Sequence, residues 1–285
     1  MINIVQLNLL NTHNEDVIWN NRKPITTDYH RSSMYFYGGT GPDNIFMQAG
    51  IRTIILVRIT SLDIYVFLMD IYGLRINQNK LEDLSIISVD KVYYIPFKGN
   101  KINEDLDNIG YYNVPVSPLN EEPRYALTEA FSGCAFIVTK EPSGNTFRVW
   151  HFQSPDSNPK QTERFVRKHC LDIYDYVCYR DYGAPVGSTE YYHGNATANI
   201  YLFYDRNNRI WSIKCIPAKK IMYLDGIFMK WGGDVYETST YKNKFAREID
   251  FSKPLYNPSE DKEKFIKNMV DRLTNNRYEF NRNHK

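Results

Sequence analysis

The chain has 285 residues, enough for one large domain or two small ones. Its hydrophobic content of 42% and charged content of 24% are typical of a globular protein and exclude a disordered one. The net charge of +2 is nearly neutral, so we expect no nucleic-acid partner. The longest apolar run, residues 64–69, is too short to cross a bilayer, so we expect no integral membrane segment.

Strand signals dominate the first third of the chain. Apolar and β-branched residues predict strands over 51–60, 63–70 and 92–97, with a polar loop or short helix over 78–90. Residues 113–123 hold three prolines and predict a linker or an extended segment. This organisation predicts two parts, residues 1–112 and residues 113–285, which can also pack as a single domain.

Two hairpins and two helices are predicted in the second part. Strands over 135–139 and 146–153 flank a turn signal at 141–145, and strands over 199–204 and 210–216 form a second hairpin. On the second hairpin, Trp211, Ile213 and Cys215 share one face and are expected in the core. The order of strand-rich and helical segments predicts an α+β fold, a central β-sandwich of mostly antiparallel strands flanked by helices.

The two predicted helices each carry one apolar stripe. The first is expected over 159–178, after Ser157 and with Pro159 in its first turn, with Cys170 in the core and His169 at its rim. The second begins after Ser259 as its cap. Its buried side is expected to carry Phe265, Ile266, Met269, Val270 and Leu273.

The first hairpin brings a thiol and an imidazole together. Cys134 stands just before the first strand, and His151 follows seventeen positions later on the second. A turn of Pro142 and Ser143 alone places Cys134 directly opposite His151, whereas a four-residue loop places it opposite Gln153. Both registers put the two side chains on one face, because side chains alternate with period two. A histidine in this position can act as the base that activates a cysteine nucleophile.

The residues around Cys134 suit acyl chemistry. Ser132 and Gly133 are small and permit a close backbone approach, so we expect the amides around Cys134 to form an oxyanion hole. The four cysteines, Cys134, Cys170, Cys178 and Cys215, lack metal-ligand spacing, and we expect neither a metal nor a cofactor. A purely structural role for Cys134 and His151 stays open, because free cysteines are among the most buried residues.

The run Phe-Ser-Gly-Cys, followed by a strand, a turn and a strand carrying His151, resembles the Leu-Ser-Gly-Cys signature of bacterial toxin glutamine deamidases. These are the catalytic domains of the cytotoxic necrotizing factors and the Burkholderia lethal factor, with a looser likeness to the chemotaxis deamidase CheD. The likeness covers residues 114–153. Phe131 replaces the leucine of the signature, and Ala135 replaces the usual threonine after the cysteine.

The resemblance implies that Cys134 attacks a glutamine amide and that His151 moves the protons. It implies a third group that orients the imidazole, either Thr128, six residues before the cysteine, or the carbonyl of Val116. It also implies a β-sandwich fold and a host protein as substrate, a Rho-family GTPase or a translation factor.

The same resemblance implies a virulence effector that is secreted or injected by a bacterium and acts in the host cytosol. We expect it to be a monomer. The N-terminus lacks the basic region and apolar core of a signal peptide, so we expect export by a specialised machine or release from a larger toxin.

Four alternatives to deamidation remain at this point, and an ADP-ribosyltransferase is the least favoured of them. A cysteine protease or a transglutaminase would use the same pair, and a non-enzymatic binding module would use neither residue. Residues 34–50 resemble a segment of cholera- and pertussis-type ADP-ribosyltransferases. However, Phe36 stands where those enzymes have an arginine, and the sole Gln-x-Glu, at residues 161–163, falls in a predicted helix.

Overall fold

The computed structural model describes residues 25–26, 49–59, 64–69, 84–98, 105–128, 131, 133–141, 144–183, 196–225, 228–235 and 245–274. Within them the chain is an α+β protein with two mostly antiparallel sheets and few helices, as predicted. The strands are β1 (Ile25–Thr26), β2 (Gly50–Ile59), β3 (Ile64–Met69), β4 (Leu84–Tyr94), β5 (Gly110–Pro115), β6 (Tyr125–Leu127), β7 (Ala135–Lys140), β8 (Thr146–Phe152), β9 (Ile173–Val177), β10 (Ala196–Asp205), β11 (Ile210–Asp225), β12 (Phe228–Val235) and β13 (Phe245–Glu248). The α-helices are α1 (Pro159–His169), α2 (Tyr179–Tyr182) and α3 (Lys262–Thr274).

The larger sheet contains nine strands in the described part of the chain. Their order is β1-β3-β2-β4-β6-β10-β11-β12, and β13 pairs with β11 as well. The β1–β3 and β4–β6 pairs are parallel, and the other pairs are antiparallel. The smaller sheet has the order β5-β8-β7-β9 and is antiparallel throughout.

Two apolar cores divide the molecule into layers. The first lies between the sheets, where alternate residues of β7 and β8 meet the inner face of β10 and β11. Trp211, Ile213 and Cys215 are buried here, as predicted. The second core lies on the other face of the smaller sheet, where Trp150 and Phe152 pack against α1 and α3. The order of layers is therefore helices, smaller sheet, larger sheet.

The helix predicted over 159–178 is wrong in its second half. The helix ends at His169, and Ile173–Val177 form β9, the edge strand beside β7. These five residues are mostly β-branched or aromatic, and the open edge of β7 supplies their backbone partners. Cys170 lies in the core as predicted, and His169 is half-buried beside Trp150. Burial, helped by Lys168 and Arg148, lowers the pKa of His169 to about 4.

Two further element predictions need correction. The loop or helix expected over 78–90 is wrong from Leu84 onward, because β4 begins there and pairs along the whole of β2. Asp261, rather than Ser259, caps α3, since its Oδ1 accepts a hydrogen bond from the Lys264 amide (3.0 Å).

Some predictions fall where the structure gives no description. Most of the transferase-like segment 34–50, including Phe36, lies outside the described residues, as does the tail from 275. The proposed boundary between residues 112 and 113 falls inside β5, and β4 pairs with β6 across it.

A close backbone approach at Gly110 shapes the end of the sandwich. Gly110 lies directly opposite His151 in the β5–β8 pairing. A Cβ atom added at Gly110 would lie 1.7 Å from the carbonyl oxygen of Pro96. Glycine therefore lets the segment after β4 pass against β5, and this segment carries Phe97 to the imidazole of His151, with ring centroids 5.1 Å apart.

We predict that Gly110→Ala lowers the free energy of unfolding by about 2–3 kcal/mol, because the backbone of residue 96 has to move. Urea titration followed by circular dichroism measures the change. Gly144→Ala is the matched control. Gly144 has a φ of 74° but nothing within 4 Å of an added Cβ, so strain alone should cost about 1 kcal/mol. Equal losses in the two variants would contradict the close approach.

Candidate active site

The loop of the first hairpin sets which residues face each other. The Glu141 amide donates to the Thr146 carbonyl (3.3 Å), which closes a four-residue loop. Phe136 then pairs with His151, and the same register continued by two residues places Cys134 opposite Gln153. Of the two registers considered from the sequence, the structure has the one with the longer loop.

This register places Cys134 and His151 on the inner face of the smaller sheet. Cys134 and Phe136 belong to the core between the sheets, whereas Ala135 and Ile137 belong to the core under the helices. His151 pairs with Phe136 and therefore points to the same side as Cys134. The two residues are diagonal neighbours on adjacent strands, a relation that separates Cβ atoms by about 7 Å.

Thr128 holds the imidazole from the opposite sheet. Its Oγ1 lies 2.6 Å from Nδ1 of His151, in a buried hydrogen bond. Thr128 follows β6 of the larger sheet, and His151 belongs to β8 of the smaller one, so this bond crosses the sandwich. A partner at Nδ1 restricts the orientation of the ring.

Aromatic rings enclose the imidazole. The ring of Phe131 stacks on it with a centroid distance of 4.3 Å and an interplanar angle of 14°. Phe97 contacts it at a tilted 60°. His151 has 0% of its surface exposed, whereas Cys134 keeps 6%. Both residues are therefore buried in the core between the sheets.

The structure does not bring Val116 to His151. The Val116 carbonyl accepts a hydrogen bond from the Trp211 indole (3.1 Å), and its amide donates to the Asn145 carbonyl (3.0 Å). Gly110 is the β5 residue opposite His151, and Val116 lies six residues further on, roughly 20 Å along an extended chain. Of the two groups expected to orient the imidazole, only Thr128 is placed to do so.

Gly133 adopts a conformation that favours glycine. Its φ is 85°, which explains why a residue without a Cβ atom precedes the cysteine. Its amide donates to the hydroxyl of Tyr182 (2.9 Å), and that hydroxyl donates to the Cys134 carbonyl (2.9 Å). The Gly133 amide would have to leave Tyr182 to bind an oxyanion. Ser132 lies outside the described residues.

The sequence reasoning missed three aromatic contacts of the site. Tyr182 is fully buried, and it lies 48 residues from Cys134 with no motif to mark it. Phe97 likewise carries no signal. Phe131 did carry one, because the position where the deamidase signature has leucine is aromatic here. An aromatic ring at that position predicts stacking on a nearby planar group.

Two of the other thiols are held in their neutral form. Burial raises the pKa of Cys178 to about 12, and nearby Asp181 adds to the effect. Burial also raises the pKa of Cys215 well above its ordinary value. Both positions belong to the apolar cores, which suits a structural role.

Among the described residues, no group of three or more His, Cys, Asp or Glu side chains could hold a metal ion. None of the helices in those ranges is long and apolar enough to cross a membrane. Comparison with models of known protein families finds no match, and comparison with curated protein sequences finds none either.

Proposed function

We propose that this chain is a bacterial effector that deamidates a glutamine side chain of a host protein, with Cys134 as nucleophile and His151 as general base. The observation that carries the proposal is the 2.6 Å contact between Thr128 Oγ1 and His151 Nδ1, made on the face that also holds Cys134. It supplies a nucleophile, a base and an orienting group in one place. The likeness to the toxin deamidase signature supports the same assignment.

The first half-reaction forms a thioester. His151 takes the thiol proton as the Cys134 sulfur attacks the carbonyl carbon of the glutamine amide, giving a tetrahedral oxyanion. Backbone amides near Cys134 other than that of Gly133, which Tyr182 occupies, are expected to stabilise that oxyanion. The carbon–nitrogen bond then breaks, and His151 returns its proton to the departing ammonia.

The second half-reaction is hydrolysis. Water attacks the thioester carbon while His151 accepts a proton from it, the carbon–sulfur bond breaks, and His151 returns that proton to the sulfur, which restores the thiol. The product is glutamate in place of glutamine. Thr128 acts as a positioning residue here, because it keeps Nδ1 occupied and leaves proton exchange to the other ring nitrogen.

A Rho-family GTPase or a translation factor is the expected substrate, by resemblance alone. Deamidating the glutamine that orients the hydrolytic water of a GTPase removes that orientation and holds the GTPase in its GTP-bound state.

We predict that the wild-type protein adds about 1 Da to a target protein for each glutamine converted, because the reaction replaces NH₂ with OH. Cys134→Ser should lower the rate by about 1,000-fold or more, since a hydroxyl is a far weaker nucleophile. Intact mass spectrometry of Rho-family GTPases and translation factors measures the conversion.

Cys170→Ser is the matched control for this experiment. Cys170 is buried under the helices and its sulfur donates to the Arg167 carbonyl, an interaction that serine can keep. Its rate should equal that of the wild type. A cleaved target would instead indicate a protease, and an amine adduct would indicate a transglutaminase.

We predict that Cys134 reacts with iodoacetamide at pH 7 at least about ten times faster than Cys178 or Cys215, because burial keeps the latter two protonated. His151→Ala should remove the advantage of Cys134. Peptide mapping after timed labelling gives the four rates. Equal labelling of all four thiols, with His151→Ala matching the wild type, would favour a binding module.

We predict that Thr128→Val lowers kcat about 10- to 100-fold with little change in KM, because the imidazole loses the hydrogen bond that orients it. Thr128→Ser keeps the hydroxyl and should restore most of the activity. Steady-state assay of ammonia release measures both variants.

Thr139→Val provides the control for losing a buried threonine hydroxyl. Thr139 Oγ1 accepts from the Trp150 indole (2.8 Å), and this bond lies apart from Cys134 and His151. Thr139→Val should lower stability but leave kcat unchanged. A Thr128→Val enzyme with wild-type kcat would rule out the positioning role.

A further inference from the structure

The hydroxyl of Tyr182 joins two neighbouring backbone groups of the cysteine motif. It accepts a hydrogen bond from the Gly133 amide and donates one to the Cys134 carbonyl, both at 2.9 Å. Tyr182 has 0% of its surface exposed. A buried hydroxyl with both a donor and an acceptor partner is fully used within the protein.

The helix that carries Tyr182 is anchored from two sides. Asp181 of α2 accepts a hydrogen bond from the amide of Cys178, the residue just before the helix (2.8 Å), which caps the helix. The same carboxylate pairs with Arg272 of α3 (2.7 Å). The ring of Tyr182 also packs edge-on against Tyr179, with centroids 5.3 Å apart. The hydroxyl is therefore held at a fixed point beside the motif.

The two hydrogen bonds constrain the backbone on both sides of the Gly133–Cys134 peptide. The amide of Gly133 and the carbonyl of Cys134 are separated by the φ and ψ angles of these two residues. Gly133 has a φ of 85°, a region in which glycine moves easily because it has no Cβ atom. Fixing both groups removes this freedom and sets the direction in which the Cys134 side chain leaves the backbone.

We propose that Tyr182 is a positioning residue for the nucleophile, which it holds facing His151 by clamping the Gly133–Cys134 backbone. The proposal rests on the proposed function, because it assigns Tyr182 a role in that reaction. The opposite arrangement is that Tyr182 blocks an oxyanion-binding amide at Gly133. The two arrangements predict opposite effects on the reaction rate when the hydroxyl is lost, since loss of a clamp slows the reaction and loss of a block speeds it.

Tyr182→Phe removes the hydroxyl and keeps the buried ring. We expect kcat for deamidation to fall about 10- to 100-fold while KM stays within about threefold. Tyr204→Phe is the matched control, since Tyr204 is also buried in the core between the sheets but packs against Trp211. It should keep wild-type kcat. A Tyr182→Phe enzyme with wild-type or higher kcat would overturn the proposal.

Thiol labelling and hydrogen exchange separate this proposal from the proposed function. Iodoacetamide labelling of Cys134 at pH 7 should slow about fivefold or more in Tyr182→Phe, because the thiol no longer faces its base. Faster labelling would mean that the hydroxyl merely shielded the sulfur, which contradicts positioning. The labelling rate is measured without any substrate.

Hydrogen exchange on the wild-type protein tests the clamp even where Tyr182→Phe does not fold. The Gly133 amide should exchange at least about 100-fold more slowly than in an unstructured peptide. Rapid exchange would overturn the clamp. If the wild type forms no glutamate while Gly133 is protected and labelling depends on Tyr182, the proposed function fails and the clamp stands. If the wild type deamidates and Tyr182→Phe does so equally, the proposed function stands and the positioning role of Tyr182 fails.

Discussion

The hydrogen bond between Thr128 and His151 is the interaction on which the site depends, because it ties the two sheets together at the imidazole. A polar ring buried between apolar sheets loses the hydrogen bonds that water would supply. Thr128 replaces one of them with a neutral group. Since the hydroxyl comes from the larger sheet and the ring from the smaller one, the ring is oriented only when both sheets are in place. Assembly of the sandwich and assembly of the site are therefore the same event.

The register of the first hairpin is the second constraint. A shift of one residue in the β7–β8 pairing would move either Cys134 or His151 to the face beneath the helices. The four-residue loop and the direct pairing of Phe136 with His151 prevent this shift. Apolar residues on both faces also stabilise the observed register, because each face of the smaller sheet meets a different core. Packing far from the thiol thus decides which side chains the thiol faces.

The hairpin, the α+β class and the shared face of Cys134 and His151 could be predicted from the sequence, because alternation and turn residues act over a few positions. The end of α1 could not, because the edge of β7 stabilises Ile173–Val177 as a strand where helical spacing continues. Thr128 and Val116 were equivalent by sequence, and only the approach of β6 to β8 separates them. Tyr182 could not be predicted from the sequence either, since its hydrogen bond to the Cys134 carbonyl joins residues 48 positions apart.

The enclosure of His151 limits how it can move a proton. Phe131 covers one face of the ring and Phe97 packs on it at an angle, while Thr128 occupies Nδ1. In the proposed reaction, Nε2 is therefore the ring nitrogen that exchanges protons with sulfur, ammonia and water. Each proton in the proposed reaction passes through that single atom, first from the thiol and later from water. In the proposed reaction a base with one working nitrogen serves both half-reactions without the ring having to turn.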